Sequence, residues 1–523
     1  MSTPPVATRT DARGIRHYDV PLPADLVDML RRTVAARGDH PAFLVPGGAA
    51  TWAEVGAETD GLARRMRGAG VDEGDRVAVL AGNGLPFTVA VLATWTAGAI
   101  AVPLNHRLTP TDLAALLQDS GARLLLVGDG LEDAAARAVA AAGTGEVRVE
   151  STDGDGRFLA GRPAGDLPAA TPGTDAPAAV MYTSGTTGRP KGVVISHGNA
   201  LQNAVTCTTV IGRRPEDVEL VMVPQFNITG LCSQTVPVVL LGATAYLLDG
   251  FEAGRALDAA RDHACTSTVG APTMWWRLLE RAAERDDDAL AGLRLALFGG
   301  APMPTALLQR MRAAMPLATL GNGFGMTETC SMITYVGGED AVRMPHSVGR
   351  PLPLTELRLR RPGTDEDAGP DEIGEIVVRG GQVALGYWGA DGPTPLTDED
   401  GWISTGDAAV LEDGFVVLRD RLKDVIKRGG ESVFSFEVEN VLHQHPGVLD
   451  AAVVGVPDEQ YGERVVAHVV AKPGSDLTPD ELRSFCRDHL AHFKVPAAVE
   501  IRDELPRNPG GKVVKSQLRG ADA

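Results

Sequence analysis

Residues 182–193 read YTSGTTGRPKGV and directly follow the apolar run at 178–181. More than half of these residues are glycine, serine or threonine, and Lys191 adds a positive charge near the end. Backbone N–H groups of glycine-rich turns converge on an anion because no Cβ blocks the approach. The stretch therefore predicts a polyphosphate-binding loop after a buried strand. It is not a Walker A loop, because Pro190 stands directly before the lysine, where that motif requires glycine.

Length and composition limit the class of protein. A chain of 523 residues exceeds one ordinary hydrophobic core, so we expect at least two domains. The apolar share of 44% and the charged share of 22% are typical of a globular protein. A formal net charge of -19 disfavours nucleic acid or an anionic membrane as the main partner. A small anionic substrate stays compatible with this charge, because local fields decide its binding.

Cysteine usage and apolar stretches indicate the compartment. The five cysteines are scattered and form no CxxC pair, so the sequence indicates neither a zinc site nor a disulfide framework. Residues 1–14 contain no apolar segment of the secretory-signal type, and we expect a reducing, cytoplasmic location. The uncharged stretches 77–105 and 220–248 are interrupted by glycine, proline and asparagine, whereas a membrane-spanning helix needs about 20 continuous apolar residues. These stretches are predicted to be buried helix–strand pairs.

The order of elements predicts the fold class. Short β-rich runs alternate with helical stretches through most of the chain before residue 400, as in an α/β domain with a mostly parallel sheet and helices on its faces. Predicted strands lie at 76–81, 99–104, 123–128, 178–182 and 376–379, and predicted helices at 112–120 and 304–315.

Near residue 420 the sequence becomes richer in charge, and about a hundred residues of alternating strands and helices follow. Within them Thr478, Pro479 and Glu481 have the spacing of an N-cap, a first-turn proline and a capping-box acid. We therefore predict a small C-terminal domain from residue 421 onward.

Four further blocks follow the opening stretch in order: GNGFGMTE (321–328), GWISTGD (401–407), DRLKDVIKRGGESV (420–433) and LPRNPGGKVVK (505–515). Together the five blocks closely resemble the motifs of the adenylate-forming superfamily, which contains acyl- and aryl-CoA synthetases, peptide-synthetase adenylation domains and luciferases. The resemblance extends over almost the whole chain. It implies an α/β fold with a large N-terminal AMP-binding domain of stacked α/β subdomains, residues 1–420, and a small mobile α+β C-terminal domain, residues 421–523.

The activity that the resemblance implies is that of an ATP-dependent carboxylic acid:CoA ligase. Such an enzyme forms an acyl-adenylate and then an acyl-CoA thioester, using ATP, Mg²⁺ and coenzyme A. A carboxylate is a poor acyl donor, and the mixed anhydride with AMP supplies a leaving group. Because the enzyme must bring two anions together, positive charge and a metal ion are required.

The resemblance also assigns roles to residues at matching positions. Lys512 matches the lysine that bridges the substrate carboxylate and the α-phosphate, Glu328 matches the magnesium-binding acid, and Thr327 matches a neighbouring phosphate contact; these are the predicted catalytic residues. Asp407 matches the acid that binds the ribose hydroxyls, and Arg421 matches a basic residue that contacts ribose or phosphate. The predicted ATP- and AMP-binding residues are Thr183, Ser184, Gly185, Thr186, Thr187, Gly188, Lys191, Gly300, Ala301, Pro302, Asn322, Gly323, Phe324, Thr327, Asp407 and Arg421, and Thr186 is a second predicted magnesium contact.

For the second half-reaction the resemblance points to the C-terminal domain. Lys423 stands at the family's hinge position, and Gly429 and Gly430 match a strand beside the pantetheine tunnel, where glycine lets a thin thiol arm pass. Lys427 and Arg428 are candidates for the CoA phosphates, and exposed basic residues beside a turn are the alternative interpretation. The predicted acyl pocket contains Asn227, Ile228, Gly230, Gly270, Gly300, Gly325, Met326 and Cys330. These residues are small or apolar apart from one amide, and they favour a hydrophobic or aromatic acid without an amino group.

Three positions depart from the family pattern. Phe324 stands where the family usually has tyrosine, and it keeps the stacking face and loses only the hydroxyl. Asn227 replaces the histidine of the usual Pro-x-Phe-His block, and an amide cannot titrate near neutral pH. Ser435 stands where proline is common. Because of Asn227, a family member that performs only the thioesterification half-reaction on a supplied acyl-adenylate stays an alternative.

Two further functions are compatible with the same residues. The first is that of a stand-alone adenylating ligase that loads a carrier protein in trans, and the second is that of a non-catalytic protein that binds acyl-adenylate or nucleotide. The sequence predicts neither nucleic-acid nor membrane partners, and it does not indicate an oligomeric state.

Overall fold

The computed structural model describes residues 6–143, 147–153, 158, 163–168, 171–183, 190–301, 303–369, 371–389, 392–507 and 513–519. The first elements are β1 (Thr8–Thr10), β2 (Arg16–Tyr18), α1 (Leu26–Arg37), β3 (Pro41–Val45), β4 (Gly48–Thr51), α2 (Trp52–Gly68), β5 (Arg76–Leu80), α3 (Leu85–Thr96), β6 (Ile100–Pro103), α4 (Pro110–Ser120), β7 (Leu124–Val127), α5 (Glu132–Ala142) and β8 (Arg148–Ser151).

The chain continues with β9 (Pro177–Thr183), β10 (Lys191–Ser196), α6 (His197–Thr209), β11 (Val218–Val221), a π-helical turn (Thr229–Thr235), α7 (Val236–Leu241), β12 (Thr244–Leu247), α8 (Ala253–Asp262), β13 (Ser267–Gly270), α9 (Pro272–Arg285), β14 (Leu295–Gly299), α10 (Thr305–Ala314), β15 (Thr319–Met326), β16 (Ser331–Gly337) and α11 (Glu339–Arg343). The last elements are β17 (Ser347–Pro351), β18 (Glu356–Arg360), β19 (Gly374–Arg379), β20 (Gly386–Tyr387), β21 (Ile403–Glu412), β22 (Phe415–Arg421), β23 (Ile426–Arg428), β24 (Glu431–Val433), α12 (Ser435–Gln444), β25 (Val448–Asp458), β26 (Gly462–Ala471), α13 (Pro479–His489), β27 (Ala498–Arg502) and α14 (Lys515–Leu518).

The first large sheet carries the strands around the predicted phosphate loop. Its strand order is β20-β10-β9-β6-β5-β7-β8. The strands β5 to β9 run parallel, whereas β9, β10 and β20 pair antiparallel. The predicted strands at 76–81, 99–104, 123–128 and 178–182 are confirmed as β5, β6, β7 and β9, and the predicted helix at 112–120 is confirmed as α4.

The second large sheet has the order β18-β19-β21-β22-β17-β16-β15-β14-β13-β11-β12-β3-β4. It is parallel from β3 to β15. From β15 to β18 it is antiparallel, so a mostly parallel sheet describes only part of it. The connections explain the change, since helices α8, α9 and α10 link the parallel strands and short turns join β15 to β16 and β21 to β22. The predicted helix at 304–315 and the predicted strand at 376–379 are confirmed as α10 and β19.

One apolar cluster joins the two large sheets. It includes Val77 of β5, Phe43 of β3 and Val221 of β11, together with residues of the helices between the sheets. Helix α3 is buried on every side from Phe87 to Thr96, which explains why this segment carries no charge. The stretches 77–105 and 220–248 are thus the predicted buried helix–strand pairs. Among the described residues, no helix combines the length and apolar character needed to cross a membrane.

The C-terminal residues form a separate small sheet with the order β24-β23-β26-β25, and β27 pairs with β26. Helices α12 and α13 cover one of its faces through Val438, Leu442 and Leu482. The predicted N-cap and first-turn proline of α13 are confirmed, because the Thr478 hydroxyl accepts a hydrogen bond from the Glu481 N–H at 3.2 Å and Pro479 is the first helical residue. The Glu481 carboxylate lies 3.4 Å from His445 Nε2 and does not complete the predicted capping box. The chain passes from the large sheet to the small one between Arg421 and Ile426.

A buried polar cluster crosses this passage and explains Ser435. Both the backbone N–H and the hydroxyl of Ser435 donate hydrogen bonds to the Asp420 carboxylate, and the hydroxyl bond is 3.0 Å long. Proline has no N–H to donate, so the serine adds contacts that the usual residue cannot make. Lys515 donates to the Ser435 hydroxyl at 2.6 Å and pairs with Glu439 at 2.7 Å. The start of α12 is therefore hydrogen-bonded to the C-terminal end of β22.

The pKa of the Asp420 carboxyl is raised in this cluster. Burial raises the pKa of its carboxyl to about 6, although Lys515 and the hydrogen bonds from Ser435 and the Arg421 N–H act in the opposite direction; the charge of Glu439 adds to the rise. Because the folded-state pKa lies above the usual value, the folded protein binds a proton that the unfolded chain has released. The stabilisation from this proton is present at low pH and is lost as the pH rises through about 6.

We predict that this pH dependence disappears in Asp420→Asn, which cannot ionise. Between pH 5 and 7.5 the free energy of unfolding of the wild type should fall relative to that of the variant by about 1–1.5 kcal/mol. Scanning calorimetry or urea unfolding at several pH values measures this difference. Equal pH slopes for the two proteins would contradict the raised pKa.

Candidate active site

The predicted phosphate loop connects two antiparallel strands. β9 leads into it and β10 leads out of it, with Thr183 directly opposite Lys191. Ser184, Gly185, Thr186, Thr187 and Gly188 lie outside the described residues. A Cβ at Gly192 would lie 2.7 Å from Val180 Cγ1 and 3.2 Å from Trp388 Cβ, so glycine after the lysine lets β10 lie close to its neighbours. The two ends of the loop are therefore fixed by strand pairing.

Lys191 and Glu328 both contact the side chain of Tyr387. Glu328 lies in a 3₁₀ turn, Thr327–Thr329, that directly follows β15, and both Thr327 and Glu328 are half-buried. The Tyr387 hydroxyl donates to Glu328 Oε1 at 3.0 Å. The Lys191 ammonium lies 4.8 Å from the centre of the Tyr387 ring. Burial and the Glu328 carboxylate raise the pKa of Tyr387, so its hydroxyl stays protonated and donates. The sequence motifs did not predict Tyr387; its only signal was the aromatic pair in GYW at 386–388.

The two predicted adenine strips are brought together on neighbouring parallel strands. β14 ends in Gly299, which pairs with Gly323 of β15, and Gly300 and Ala301 follow it at the surface. A Cβ at Gly299 would lie 2.5 Å from the Gly323 carbonyl oxygen, so the strands approach too closely for a side chain there. Pro302 lies outside the described residues.

On β15 the strip residues have different environments. Asn322 is buried and donates through Nδ2 to the Ser347 carbonyl at 3.3 Å. Phe324 is half-buried and packs against an apolar cluster that includes Ile376 and Ala409. This placement is compatible with a ring face toward adenine, and the role stays a prediction.

Asp407 and Arg421 face each other across strands β21 and β22. Arg421 Nε lies 2.8 Å from Asp407 Oδ1, and the Asp407 N–H donates to the Thr405 hydroxyl at 3.1 Å. Only 6% of the Asp407 side chain is exposed, against 38% of that of Arg421. The two residues predicted to bind ribose therefore form one ion pair.

The predicted acyl-pocket residues follow two chain segments that pack closely. Asn227 and Ile228 are half-buried and lead into the π-helical turn. A Cβ at Gly230 would lie 2.2 Å from the Pro224 carbonyl oxygen, so this turn folds back on the preceding loop. At Gly270 a Cβ would lie 2.6 Å from Met222 Cε. Cys330 is fully buried at a φ of 47°, within the apolar cluster that joins the large sheets.

Gly325 and Met326 end β15 at a β-bulge. A Cβ at Gly325 would lie 1.6 Å from the Ser331 carbonyl oxygen. Because this is a backbone atom of the paired strand, no side-chain rotation relieves the clash. The bulge re-aims the chain directly before Thr327 and Glu328.

The predicted hinge residue lies within the passage between the sheets, and the predicted CoA residues follow that passage. Lys423 is exposed in a 3₁₀ turn, and its carbonyl accepts a hydrogen bond of 3.3 Å from Arg519, which also pairs with Asp424 at 2.7 Å. Lys512 lies outside the described residues. The segment that follows it is held by the Arg519 contacts and by the contacts of Lys515 described above.

Gly429 and Gly430 form the turn between β23 and β24. Their φ angles are 59° and 90°, values that favour glycine, and a Cβ at Gly430 would meet open space. The Lys427 ammonium donates to the Ser432 hydroxyl at 2.8 Å. Arg428 donates to the Phe493 carbonyl at 2.5 Å, so its guanidinium is engaged within the small domain.

The donor set at Glu328 fits a magnesium ion bound mainly by phosphate oxygens. A carboxylate is the hard oxygen ligand that Mg²⁺ prefers, and the ion takes one or two protein carboxylates together with phosphates and water. Within the described residues no group of three or more His, Cys, Asp or Glu side chains is placed to hold a metal by itself. One carboxylate beside a phosphate loop agrees with both observations.

We predict that Gly325→Ala destabilises the folded protein by at least about 2 kcal/mol, because the added Cβ would collide with the backbone of β16. Gly292→Ala is the matched control, since a Cβ there meets no atom within 4 Å. Urea unfolding of both variants measures the difference. A Gly325→Ala protein as stable as the wild type would show that the bulge is not as tight as described.

Comparison with known proteins agrees with this geometry. The AMP-binding enzyme family matches residues 30–388, and the AMP-binding enzyme C-terminal domain matches residues 437–512. A feruloyl-CoA synthase of Amycolatopsis sp is 38% identical over 495 residues, which cover 93% of this chain and 96% of the relative. A fatty acid–[acyl-carrier-protein] ligase, ScoC of Streptomyces coeruleorubidus, is 35% identical over 489 residues, which cover 92% and 93% of the two chains.

Among solved structures, the O-succinylbenzoate coenzyme A synthetase of Bacillus subtilis, in complex with ATP and a magnesium ion, matches with a TM-score of 0.84 at 31% identity. The match covers 94% of this chain and 98% of that chain. The adenylate-forming fold predicted from the five sequence blocks is confirmed. The chain belongs to the AMP-binding enzyme family.

Proposed function

We propose that the protein is an ATP-dependent carboxylic acid:CoA ligase. The observation that carries the proposal is that Lys191 and Glu328 both contact Tyr387, the lysine at the ring and the glutamate at the hydroxyl. A cation at the end of a phosphate loop and a carboxylate suited to magnesium are the two groups that a bound triphosphate requires. They come from segments far apart in the chain, so their meeting is a property of the fold.

The first half-reaction joins the acid to AMP. A carboxylate oxygen attacks the α-phosphorus of ATP, the bond to the bridging oxygen breaks, and pyrophosphate leaves. Residues 183–188 and Lys191 would hold the polyphosphate, with Thr327 as a further contact. Magnesium, when bound at Glu328 and Thr186, would neutralise phosphate charge. Lys512 would bring the two anions together, and Asp407 and Arg421 would hold the ribose.

The second half-reaction transfers the acyl group to a thiol. The sulfur attacks the acyl carbon, the thiol proton is released, and AMP leaves with the electrons of the broken bond. We propose that the small C-terminal domain moves about Lys423 between the two steps. The chain leaves the large sheet after Arg421 and enters the small sheet at Ile426, which supports a hinge between two domains at this point. The open space at Gly430 supports passage of a pantetheine arm.

Coenzyme A is the proposed acceptor, and a carrier protein is the second candidate. Two relatives are similar to this chain over more than nine tenths of its length. One is named a CoA synthase and the other an acyl-carrier-protein ligase. Incubation of the enzyme, ATP and an accepted acid with either free CoA or a holo carrier protein separates the two candidates by product mass. Acyl-CoA as the main product supports the proposal, whereas acylation of the carrier protein alone would replace it.

The proposed acid is hydrophobic or aromatic and carries no amino group. Asn227, Ile228 and Met326 supply an amide and apolar contacts without a counter-ion for an amine. The similarity to a feruloyl-CoA synthase, whose name indicates an aromatic acid, supports this class. A panel of carboxylic acids screened by pyrophosphate release tests it. Turnover of amino acids in preference to aryl or fatty acids would contradict the assignment.

The same screen separates the remaining candidate functions. Acid-dependent pyrophosphate release excludes both a protein that only binds nucleotide and a thioesterification-only enzyme. Consumption of supplied acyl-adenylate and CoA without any pyrophosphate release would indicate the latter. We also propose a cytoplasmic location; the free and buried state of all five cysteines is compatible with a reducing compartment.

We predict that Lys512→Ala lowers the rate of adenylation by roughly 10²–10³-fold, because only that step brings two anions together. The rate of CoA attack on supplied acyl-adenylate should stay within about threefold of the wild-type rate. Rapid-quench measurements of pyrophosphate and of acyl-CoA report the two steps separately. Equal losses in both steps would contradict the assigned role.

Gly430→Trp should have the opposite effect. A bulky side chain at this open turn would obstruct a thiol arm while leaving the nucleotide residues untouched, so thioester formation should fall at least about tenfold with adenylation retained. The same two assays measure the variant. Loss of adenylation alone would place this turn outside the thiol path.

A further inference from the structure

Tyr387 contacts two charged residues of the proposed nucleotide site, Lys191 and Glu328, and it has no role of its own in either proposed half-reaction. Its hydroxyl is 3.0 Å from Glu328 Oε1, and its ring centre is 4.8 Å from the Lys191 ammonium. One side chain therefore contacts both the carboxylate proposed for magnesium and the cation proposed for the phosphates.

The backbone around Tyr387 is fixed on both sides. β20 pairs with β10, where Tyr387 lies opposite Val193, and the Trp388 N–H donates to the Gly192 carbonyl at 2.7 Å. Toward the other side, the Ala384 N–H donates to the Glu328 carbonyl at 2.9 Å. The short segment 384–388 thus binds the backbone of Glu328 and the strand that begins with Lys191.

This anchoring gives the side-chain contacts a definite consequence. A phenol hydroxyl that donates to one carboxylate oxygen limits the rotation of the carboxyl group, which otherwise has several rotamers. A lysine ammonium over a ring face is attracted by the ring quadrupole, which carries no net charge that would neutralise it. Tyr387 therefore fixes the direction of Glu328 and places the Lys191 ammonium.

We propose that Tyr387 is a positioning residue for the magnesium and phosphate end of the site: its hydroxyl orients Glu328 toward the metal ion, and its ring seats Lys191 beside the polyphosphate. The proposal rests on the proposed function, since it assumes that a magnesium–nucleotide complex binds here. The hydroxyl and the ring have separate tasks, and separate substitutions test them.

The test measures ATP binding by calorimetry, without any acid substrate, in EDTA and across a magnesium titration. Tyr387→Phe removes the hydroxyl and keeps the ring. We expect the magnesium concentration that gives half of the metal-dependent gain in ATP affinity to rise roughly tenfold, as for loss of a hydrogen bond to a charged group. ATP affinity in EDTA should stay within about twofold of the wild-type value, because the ring still holds Lys191.

Tyr387→Leu removes the ring as well. It should show the same shift in magnesium dependence and, in addition, a loss of about threefold in ATP affinity in EDTA. Tyr18→Phe is the matched control, because the Tyr18 hydroxyl lies 2.9 Å from the Thr206 hydroxyl, at a buried position outside the proposed nucleotide site. Its magnesium dependence should equal that of the wild type. Circular dichroism and melting temperature check that each variant is folded.

The outcomes are distinct. A magnesium shift in Tyr387→Phe that is absent from Tyr18→Phe supports the proposal. Unchanged magnesium dependence in Tyr387→Phe, or equal weakening with and without metal, would overturn it. A wild type that binds magnesium–ATP but releases no pyrophosphate with any acid would refute the proposed function alone. Failure of the wild type to bind ATP would overturn both.

Discussion

The antiparallel pairing of β9, β10 and β20 holds the ends of the proposed phosphate loop in place, and the rest of the site depends on it. Backbone hydrogen bonds between adjacent strands leave little freedom, so Lys191 begins its strand at a fixed point. The same pairing puts Tyr387 beside it, and the Ala384 N–H bonds the Glu328 backbone to this edge. Lys191 and Glu328, the residues proposed to bind the triphosphate and its metal ion, are thus held in place by backbone geometry. Such preorganisation reduces the reorganisation needed on binding.

The second large sheet supplies the remaining contacts of the proposed site. Its parallel strands β14 and β15 carry the two glycine-rich strips, and its antiparallel half carries the Asp407–Arg421 pair. The bulge at Gly325 marks the change from one half to the other and directs the chain toward Glu328. The residues predicted to bind adenine and ribose therefore lie on interior strands of the same sheet.

Local sequence signals predicted much of this fold. The strands at 76–81 and 123–128 are short, apolar and buried, and the N-cap at Thr478 makes the hydrogen bond that its spacing indicates. The five sequence blocks predicted the family and its adenylate-forming fold, and both predictions are confirmed. The roles of the individual site residues stay predictions, and several, including Lys512 and Ser184–Gly188, lie outside the described residues.

What the sequence did not predict depends on contacts between distant segments. Tyr387 is 59 positions from Glu328, and no periodicity links them. Ser435 acts through its N–H and its hydroxyl, which both donate hydrogen bonds to Asp420, a residue 15 positions earlier in the chain. The antiparallel half of the second sheet was missed because short strands joined by turns resemble the parallel strands in composition.

The most direct test is a crystal structure with magnesium and a non-hydrolysable ATP analogue. The account predicts a metal ion about 2.0–2.1 Å from a Glu328 carboxylate oxygen and phosphate oxygens within hydrogen-bonding distance of Lys191. A nucleotide bound elsewhere, with residues 183–191 facing solvent, would contradict it.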